Sequence, residues 1–303
     1  MSLNADKQIP HEPQRYCFCA DGRYVDFIVP AVESIAKSCA SGTKFSVDII
    51  VDKEPKAGVL GALKALCSGD VTVHVIDPAQ FGDLLEVTHI SRGMYYRLLI
   101  PELLDADKVL YLDCDVLVRH SLSDLFNIDL EGVLAGAVIN PFYDGSRLGL
   151  ADGDRYFNSG VLLLNCAEWR ADGTKDKVLA YLRANTDLLR MPDQDALNAV
   201  LRGRWRELDP TYNCQVSMLL RHKELAGELA PGWSMSFLES PAIMHFSSAH
   251  KQWHSSNRIV FSKEYRQLRT HIMEPRRGPF LDFVIGRIRQ AKFAIGQSNP
   301  YFY

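Results

Sequence analysis

DKVLYLDCDVLVR, residues 107–119, is the stretch whose reading decides the fold. Four apolar residues, Val109 to Leu112, run into Asp113 and Asp115 with Cys114 between them, and apolar residues resume at Val116, Leu117 and Val118. A run that is apolar at every position, not every second one, fits a strand buried on both faces of a helix-covered sheet. Burying a carboxylate without a partner is among the costliest things a core can do. Two carboxylates at the end of such a strand call for a counter-charge, and a divalent cation is the most economical one. Side chains two apart on a strand point the same way. Asp113 and Asp115 are therefore expected to hold one ion together, with Cys114 turned into packing. The competing reading is an ordinary strand-to-turn junction that carries two aspartates.

Working outward, the N-terminal third alternates strand and helix. Residues 15–20 are short and apolar and enter the turn pair Asp21-Gly22. A helical pattern covers 25–40, a β-branched strand 45–51, a helix 57–67 and another strand 71–76. Three such alternations predict a doubly wound, mostly parallel α/β sheet with right-handed crossovers. Ligands of such sheets lie beyond the carboxyl ends of the strands, so Asp21 and the Asp113/Asp115 pair are expected to line one crevice. Further on, the pattern predicts a helix over 91–104, strands over 134–139 and 161–165, one long helix over 167–189 and a short strand over 242–246. The Gly/Asp-rich stretch 140–156 reads as a long loop, and loops of that length are usually functional. Pro192-Asp193-Gln194-Asp195 reads as a helix start with Asp193 as its N-cap. There is no internal repeat.

Composition narrows the function classes. The chain has 303 residues, 47% of them hydrophobic and 23% charged, as in an ordinary soluble globular protein. A net charge of −3 gives no electrostatic case for nucleic acid. The seven cysteines are scattered and odd in number, which reads as free thiols in a reducing compartment. Cys17-Phe18-Cys19 is not a CxxC pair, so zinc is not expected there. No run approaches the length of a membrane span and the first residues lack a signal pattern, so the expected location is cytoplasmic. The expected organisation is a disordered leader (1–14), a catalytic domain (15–270) and a C-terminal tail (271–303).

Six ordered motifs go further: CADGRY (19–24), HISRGMYYR (89–97), KVLYLDCDVLV (108–118), YFNSGVLLLN (156–165), PDQDALN (192–198) and HFSSAHKQWH (245–254). Together they resemble glycosyltransferase family 8, the retaining transferases that use nucleotide-diphosphate sugars. By motif they are most similar to bacterial galactosyl- and glucosyltransferases of lipopolysaccharide outer-core synthesis. The resemblance implies a Rossmann-like, GT-A type fold and a UDP-sugar donor whose hexose passes to a saccharide or glycolipid acceptor. It implies that Cys19, Ala20, Asp21 and Tyr24 bind uridine, with Asp21 accepting from the base and Tyr24 stacking on it. Asp113 and Asp115 match the metal-binding DxD, beside Cys114 on the donor, and His245 matches a third protein ligand. Adding one imidazole to carboxylates moves the preference toward Mn²⁺, with Mg²⁺ second. Lys251 matches a diphosphate-contacting lysine, while Arg97, Asn158, Asp193 and Gln194 match the positions that hold the donor sugar. The competing readings are a turn residue for Asp21, a surface helix arginine for Arg97 and a satisfied core residue for His245.

The chemistry suits these types. Negative charge builds on the leaving phosphate, where a cation and Lys251 neutralise it, and the sugar becomes oxocarbenium-like. The resemblance puts the Gln194 amide, a poor nucleophile, where a covalent mechanism would need a carboxylate. Same-face attack, with the leaving phosphate taking the proton, fits better. Three positions depart from the family pattern: Ser248 replaces a glycine at the diphosphate, Gln252 a proline, and Asn140 an acceptor-contacting aspartate. Two rivals remain at this stage, a haloacid-dehalogenase-type phosphatase with Asp113 as nucleophile, and a non-catalytic nucleotide-sugar-binding protein at a membrane. The tail carries Arg276, Arg277, Arg287, Arg289 and Lys292, with Leu281, Val284, Ile285, Ile288, Ala291 and Ile295 on one helical face. It reads either as a basic amphipathic helix on an anionic membrane, on the inner face of the plasma membrane, or as a helix docked on the domain.

Overall fold

The computed structural model describes residues 13–22, 24–85, 92–151, 153–229, 233–248, 251–254 and 257–268. The leader up to residue 12 and the tail from 269 lie outside these, so the expectations for both ends rest on sequence. Gln14, assigned to the leader, is instead the first residue of a strand, its N–H donating to the Lys44 carbonyl.

Strand β1 (Gln14–Ala20), helix α1 (Ile28–Ser38), β2 (Phe45–Val51), α2 (Ala57–Leu66) and β3 (Val71–Val75) form the expected parallel unit. A 3₁₀ segment (Arg92–Leu99) and the short α3 (Ile100–Leu103) take the place of the single helix expected over 91–104. β4 (Lys108–Leu112) then adds beside β1 in parallel. Side chains along these strands go alternately to two cores. Phe18, Leu110, Leu112, Val161 and Leu163 enter the core under α1, while Cys17, Val109, Tyr111, Leu162 and Leu164 enter the opposite one with Trp169 and Leu197. The uninterrupted apolar pattern is thus explained by burial on both faces.

The run 107–119 is not one strand. It leaves the large sheet at Leu112, turns through Asp113–Asp115, and resumes as β5 (Val116–Val118) in a second sheet. A turn, not strand alternation, sets the directions of the two aspartates. Helix α4 (Ser123–Phe126) leads to β6 (Ala135–Ile139) and β7 (Phe157–Asn165). β8 (Trp205–Glu207) completes a seven-stranded sheet of order β3-β2-β1-β4-β7-β6-β8, in which β7 runs antiparallel to both neighbours. β9 (Cys214–Gln215) and β10 (Ile243–His245) join β5 in the small sheet, order β5-β10-β9.

The long helix expected over 167–189 is three pieces: α5 (Cys166–Asp172), α6 (Thr174–Ala184) and a 3₁₀ turn (Thr186–Leu188). Gly173 breaks it at φ +64°, a left-handed conformation that ends a helix and that glycine adopts freely. Helix α7 (Pro192–Val200) starts with Pro192 at its first turn and Met191 as N-cap, so Asp193 is not the cap. Asp195 instead ties down the chain entering the helix, accepting from the Arg190 and Met191 N–H groups at 2.7 and 2.9 Å. Among the described residues no helix is long and apolar enough to cross a membrane.

Candidate functional site

The carboxyl ends of β1 and β4, the start of β7 and the end of β10 surround a cleft of about 500 Å³. The β1–β4 register pairs Phe18 with Leu112, so both chains leave the sheet at the same edge. Cys19, Ala20, Asp21 and Tyr24 then line the cleft beside Asp113, Cys114 and Asp115. Cys114 is half-buried: it packs on the core and also faces the cleft, so it is not wholly turned away as expected.

Asp113 is held by its neighbours. Its N–H donates to the Gly160 carbonyl at 2.8 Å, and its Oδ1 accepts from Arg97 Nη2 at 3.1 Å and from the Tyr111 hydroxyl. Asp115 is buried, with Oδ1 3.2 Å from His245 Nε2 and Oδ2 paired to the Lys251 ammonium. Its Phe246-facing carbonyl accepts a backbone bond of 2.9 Å, which fixes the turn against β10. Burial works to raise the Asp115 pKa, but Lys251 and His245 outweigh it and hold the carboxyl below its ordinary range.

His245, 2% exposed, ends β10, and its ring Nδ1 lies 2.9 Å from Asn213 Oδ1. The Nε2 atom therefore faces the acids, 3.7 Å from Asp113 Oδ2. One ligand atom from each of Asp113, Asp115 and His245 lies within 4.8 Å of the other two. Converging oxygens and a ring nitrogen, with Lys251 on one Asp115 oxygen and Arg97 on one Asp113 oxygen, form a donor set suited to a divalent ion. The residues present fit such an ion.

Adjoining this cluster, and linked to it by the Arg97–Asp113 pair, lie Arg97, Asp193, Asn158 and Gln194, all buried. Arg97 is 5% exposed, which excludes the surface-arginine reading. It donates to the carbonyls of Met94 and Ser159 at 2.9 and 2.6 Å, lies 3.3 Å from Asp193 Oδ2, and stacks 4.5 Å over the Tyr111 ring. Desolvation would lower its pKa, but the anionic surroundings raise it, so it stays charged. Burial raises the Asp193 pKa against the opposing pull of Arg97. Ser159 Oγ also donates to Asp193 Oδ2, at 3.1 Å. Gln194 Oε1 accepts from Asn158 Nδ2 at 3.1 Å and from the Ser159 N–H at 3.0 Å.

At the other end, Trp253 stacks on Phe27 at 3.7 Å, with Tyr24 6.4 Å away, forming an aromatic wall. Ser248 and Lys251 line the same side, the Lys251 ammonium also reaching the Phe246 carbonyl at 3.1 Å. The structure thus brings the nominated donor, metal and catalytic residues to one cleft, while Asn140 lies in a separate hollow.

Several contributors escaped sequence reasoning. Gly160 is required by space: a Cβ there would fall onto the His245 ring and the Asp113 carboxylate. The NSG triplet was the available signal, but only the three-dimensional neighbours give the glycine its reason. Asn213, Ser159 and Trp253 were missed because their partners are distant in sequence.

Comparison with known proteins agrees with this geometry. Residues 16–257 match the family model described as glycosyl transferase family 8. General stress protein A of Bacillus subtilis is 31% identical over 197 residues, covering 63% of this chain and 69% of that protein. Lipopolysaccharide 1,2-glucosyltransferase of Escherichia coli is 32% identical over 171 residues, covering 54% of this chain but only 50% of that one. Among solved structures, the galactosyltransferase LgtC in complex with donor and acceptor sugar analogs superposes with a TM-score of 0.75. It shares 25% identity, and the overlay covers 87% of this chain and 98% of LgtC. The mostly parallel sheet is the GT-A fold of that enzyme. Because the matched span contains the whole cleft described above, the chain belongs to glycosyl transferase family 8 and is a glycosyltransferase.

Proposed function

We propose that this protein is a retaining hexosyltransferase that moves galactose or glucose from a UDP-sugar to a saccharide or glycolipid acceptor, in lipopolysaccharide or other cell-surface glycan synthesis. The observation that carries the reading is the convergence of Asp113, Asp115 and His245, with Lys251 beside them, in the cleft that Asp193 and Gln194 also line. Asp113, Asp115 and His245 would hold Mn²⁺, or Mg²⁺ as second choice. A divalent ion bound there would neutralise charge on the diphosphate as UDP leaves. The Lys251 ammonium adds a fixed positive charge on the same side. Tyr24 stacks on the base and Asp21 accepts from it. Arg97, 3.3 Å from Asp193, opposes the effect of burial on that carboxyl and would hold it toward the hexose, which fixes the sugar's orientation. Gln194 Oε1 already accepts two hydrogen bonds. That leaves a weak nucleophile weaker still, and favours same-face attack with the leaving phosphate as proton acceptor. A smaller hollow of about 250 Å³, lined by Asn140, Tyr143, Asp154 and Tyr156, adjoins the cleft through the Tyr156–Gln194 hydrogen bond and offers room for an acceptor. No observation favours the phosphatase or the non-catalytic reading.

The test is a donor screen. Incubated with UDP-, GDP- and ADP-sugars and Mn²⁺, the full chain should release UDP slowly from UDP-galactose or UDP-glucose and little nucleotide from the others. Release from GDP- or ADP-sugars alone, or from none, overturns the proposal.

Peripheral attachment through residues 271–303 is a separate part of the proposal, supported by their basic and amphipathic pattern. Lysines and arginines near an anionic surface contribute about 1 kcal/mol each. A chain ending at Thr270 should keep donor hydrolysis and lose sedimentation with phosphatidylserine vesicles. Unfolding of the truncated chain would show instead that the apolar face packs on the domain.

A further inference from the structure

Asn213 belongs to no motif quoted above, yet it is fully buried between the two halves of the cleft. It immediately precedes β9, whose register with β10 puts Cys214 beside Met244 and Gln215 beside His245. Its Oδ1 lies 2.9 Å from His245 Nδ1, and its Nδ2 donates to Asn158 Oδ1 at 3.0 Å.

The sense of this chain of amides is fixed by backbone groups, which cannot flip. The Ser159 N–H donates to Gln194 at 3.0 Å, so the atom it meets is the amide oxygen. The Gly160 N–H donates to Asn158 at 3.0 Å, so that atom is an oxygen too. Asn158 must then present its NH₂ to Gln194 Oε1, which it does at 3.1 Å. Asn213 must present its NH₂ to Asn158 Oδ1, which leaves its own oxygen toward the histidine. His245 Nδ1 is therefore a donor, which leaves Nε2, facing Asp113 and Asp115, as the nitrogen able to offer a lone pair to an ion. At the far end, Gln194 Nε2 donates to the Tyr156 hydroxyl at 3.1 Å, and Tyr156 donates to Asp195 Oδ1 at 2.6 Å. Asp195 is acceptor-only and is also paired with Arg147 at 2.6 Å, so it anchors the same direction.

We infer that Asn213 is a positioning residue that couples the two halves of the site: its oxygen sets the His245 nitrogen that binds metal, and its NH₂ sets the Asn158–Gln194 pair on the sugar side. The inference rests on the metal-dependent reading of the cleft proposed above. It assigns two separable duties to one side chain, each through a different atom.

Two substitutions separate them. Asn213→Asp keeps the volume and an oxygen for His245 Nδ1–H, but sets a carboxylate oxygen against Asn158 Oδ1 with no proton to share. Asn213→Ala removes both bonds. Free Mn²⁺ is followed by electron paramagnetic resonance during titration of the full chain in the presence of UDP, and kcat and KM are measured for donor hydrolysis. Asn213→Asp should bind Mn²⁺ within about threefold of wild type while kcat falls about tenfold or more at little change in KM. Asn213→Ala should weaken Mn²⁺ binding by roughly 10–100-fold, the usual cost of losing a partner behind a metal-ligating histidine. Equal weakening of Mn²⁺ by both variants, or wild-type turnover by Asn213→Asp, overturns the inference. Thermal melting run alongside identifies any loss that follows unfolding. Should Asn213→Ala not fold, the split between metal affinity and kcat in the near-isosteric Asn213→Asp still decides. If the wild-type chain with UDP takes up no Mn²⁺, the metal-dependent reading itself fails and takes the inference with it.

Discussion

Asp115→Ala should reduce UDP affinity in the presence of Mn²⁺ to the level measured with a chelator, and should lower turnover by roughly 10³-fold. Three features set the size of the effect. Asp115 is one of three groups that converge on the ion position, it is buried, and it is the carboxylate that pairs with Lys251. Removing it withdraws a metal ligand and leaves the ammonium facing an uncompensated, largely desolvated space. Losing about 4 kcal/mol of charge stabilisation at the leaving diphosphate corresponds to about three decades in rate. Isothermal calorimetry with UDP, with and without Mn²⁺, checks the binding half, and nucleotide release checks the rate. Equal UDP affinity for the wild-type chain in Mn²⁺ and in chelator would show that no shared ion links protein and diphosphate.

Asp193→Asn acts beside the ion position and should separate rate from nucleotide binding. The carboxylate lies 3.3 Å from Arg97 and accepts from Ser159 Oγ, and it faces the cleft away from the aromatic wall. Asparagine keeps the shape and loses the charge. A charged hydrogen bond to the hexose made mainly in the transition state is worth roughly 2–3 kcal/mol, so turnover should fall about 10²-fold while UDP affinity changes little. A proportional loss of UDP affinity and rate would make Asp193 the counter-ion of Arg97 and nothing more. Helix capping no longer competes as an explanation, because Met191 is the N-cap and Asp193 lies inside the helix.

The legible part of this structure was the part written in local pattern. β1 to β3 with their two helices follow from alternating strand and helix periods, and the crevice at the carboxyl ends follows from parallel topology. The family motifs nominated residues that the fold then gathers around one cavity. Misreadings came where one local signal fits two structures. An apolar run gives no sign that the chain changes sheets at Asp113–Asp115. Hydrophobic period does not register the left-handed Gly173 that divides the helix over 167–189. Acids in a first helical turn are favourable whether they cap or not, so Asp193 and Asp195 could not be told apart. Asn213 and Gly160 were out of reach for a different reason: each owes its role to a residue 32 and 85 positions away, His245 in both cases.

The reversed direction of β7 also decides where the chain can vary. β6 runs with β4 and ends at the cleft, and β7, being antiparallel, begins there. Residues 140–156 therefore leave and re-enter the sheet at the same rim, their neck closed by the Asn140 N–H on the Tyr156 carbonyl at 2.7 Å. A parallel β7 would have obliged this connection to cross to the far edge of the sheet. Instead both anchors stay fixed, and the excursion can lengthen wherever Arg147, paired with Asp195, does not hold it. Each doubling of its length costs only about 0.6 kcal/mol of closure entropy and disturbs no strand register. The neck and the Arg147–Asp195 pair tie the excursion to the catalytic wall, so the residues between those ties are the ones that can be rebuilt by insertion while the wall stands still.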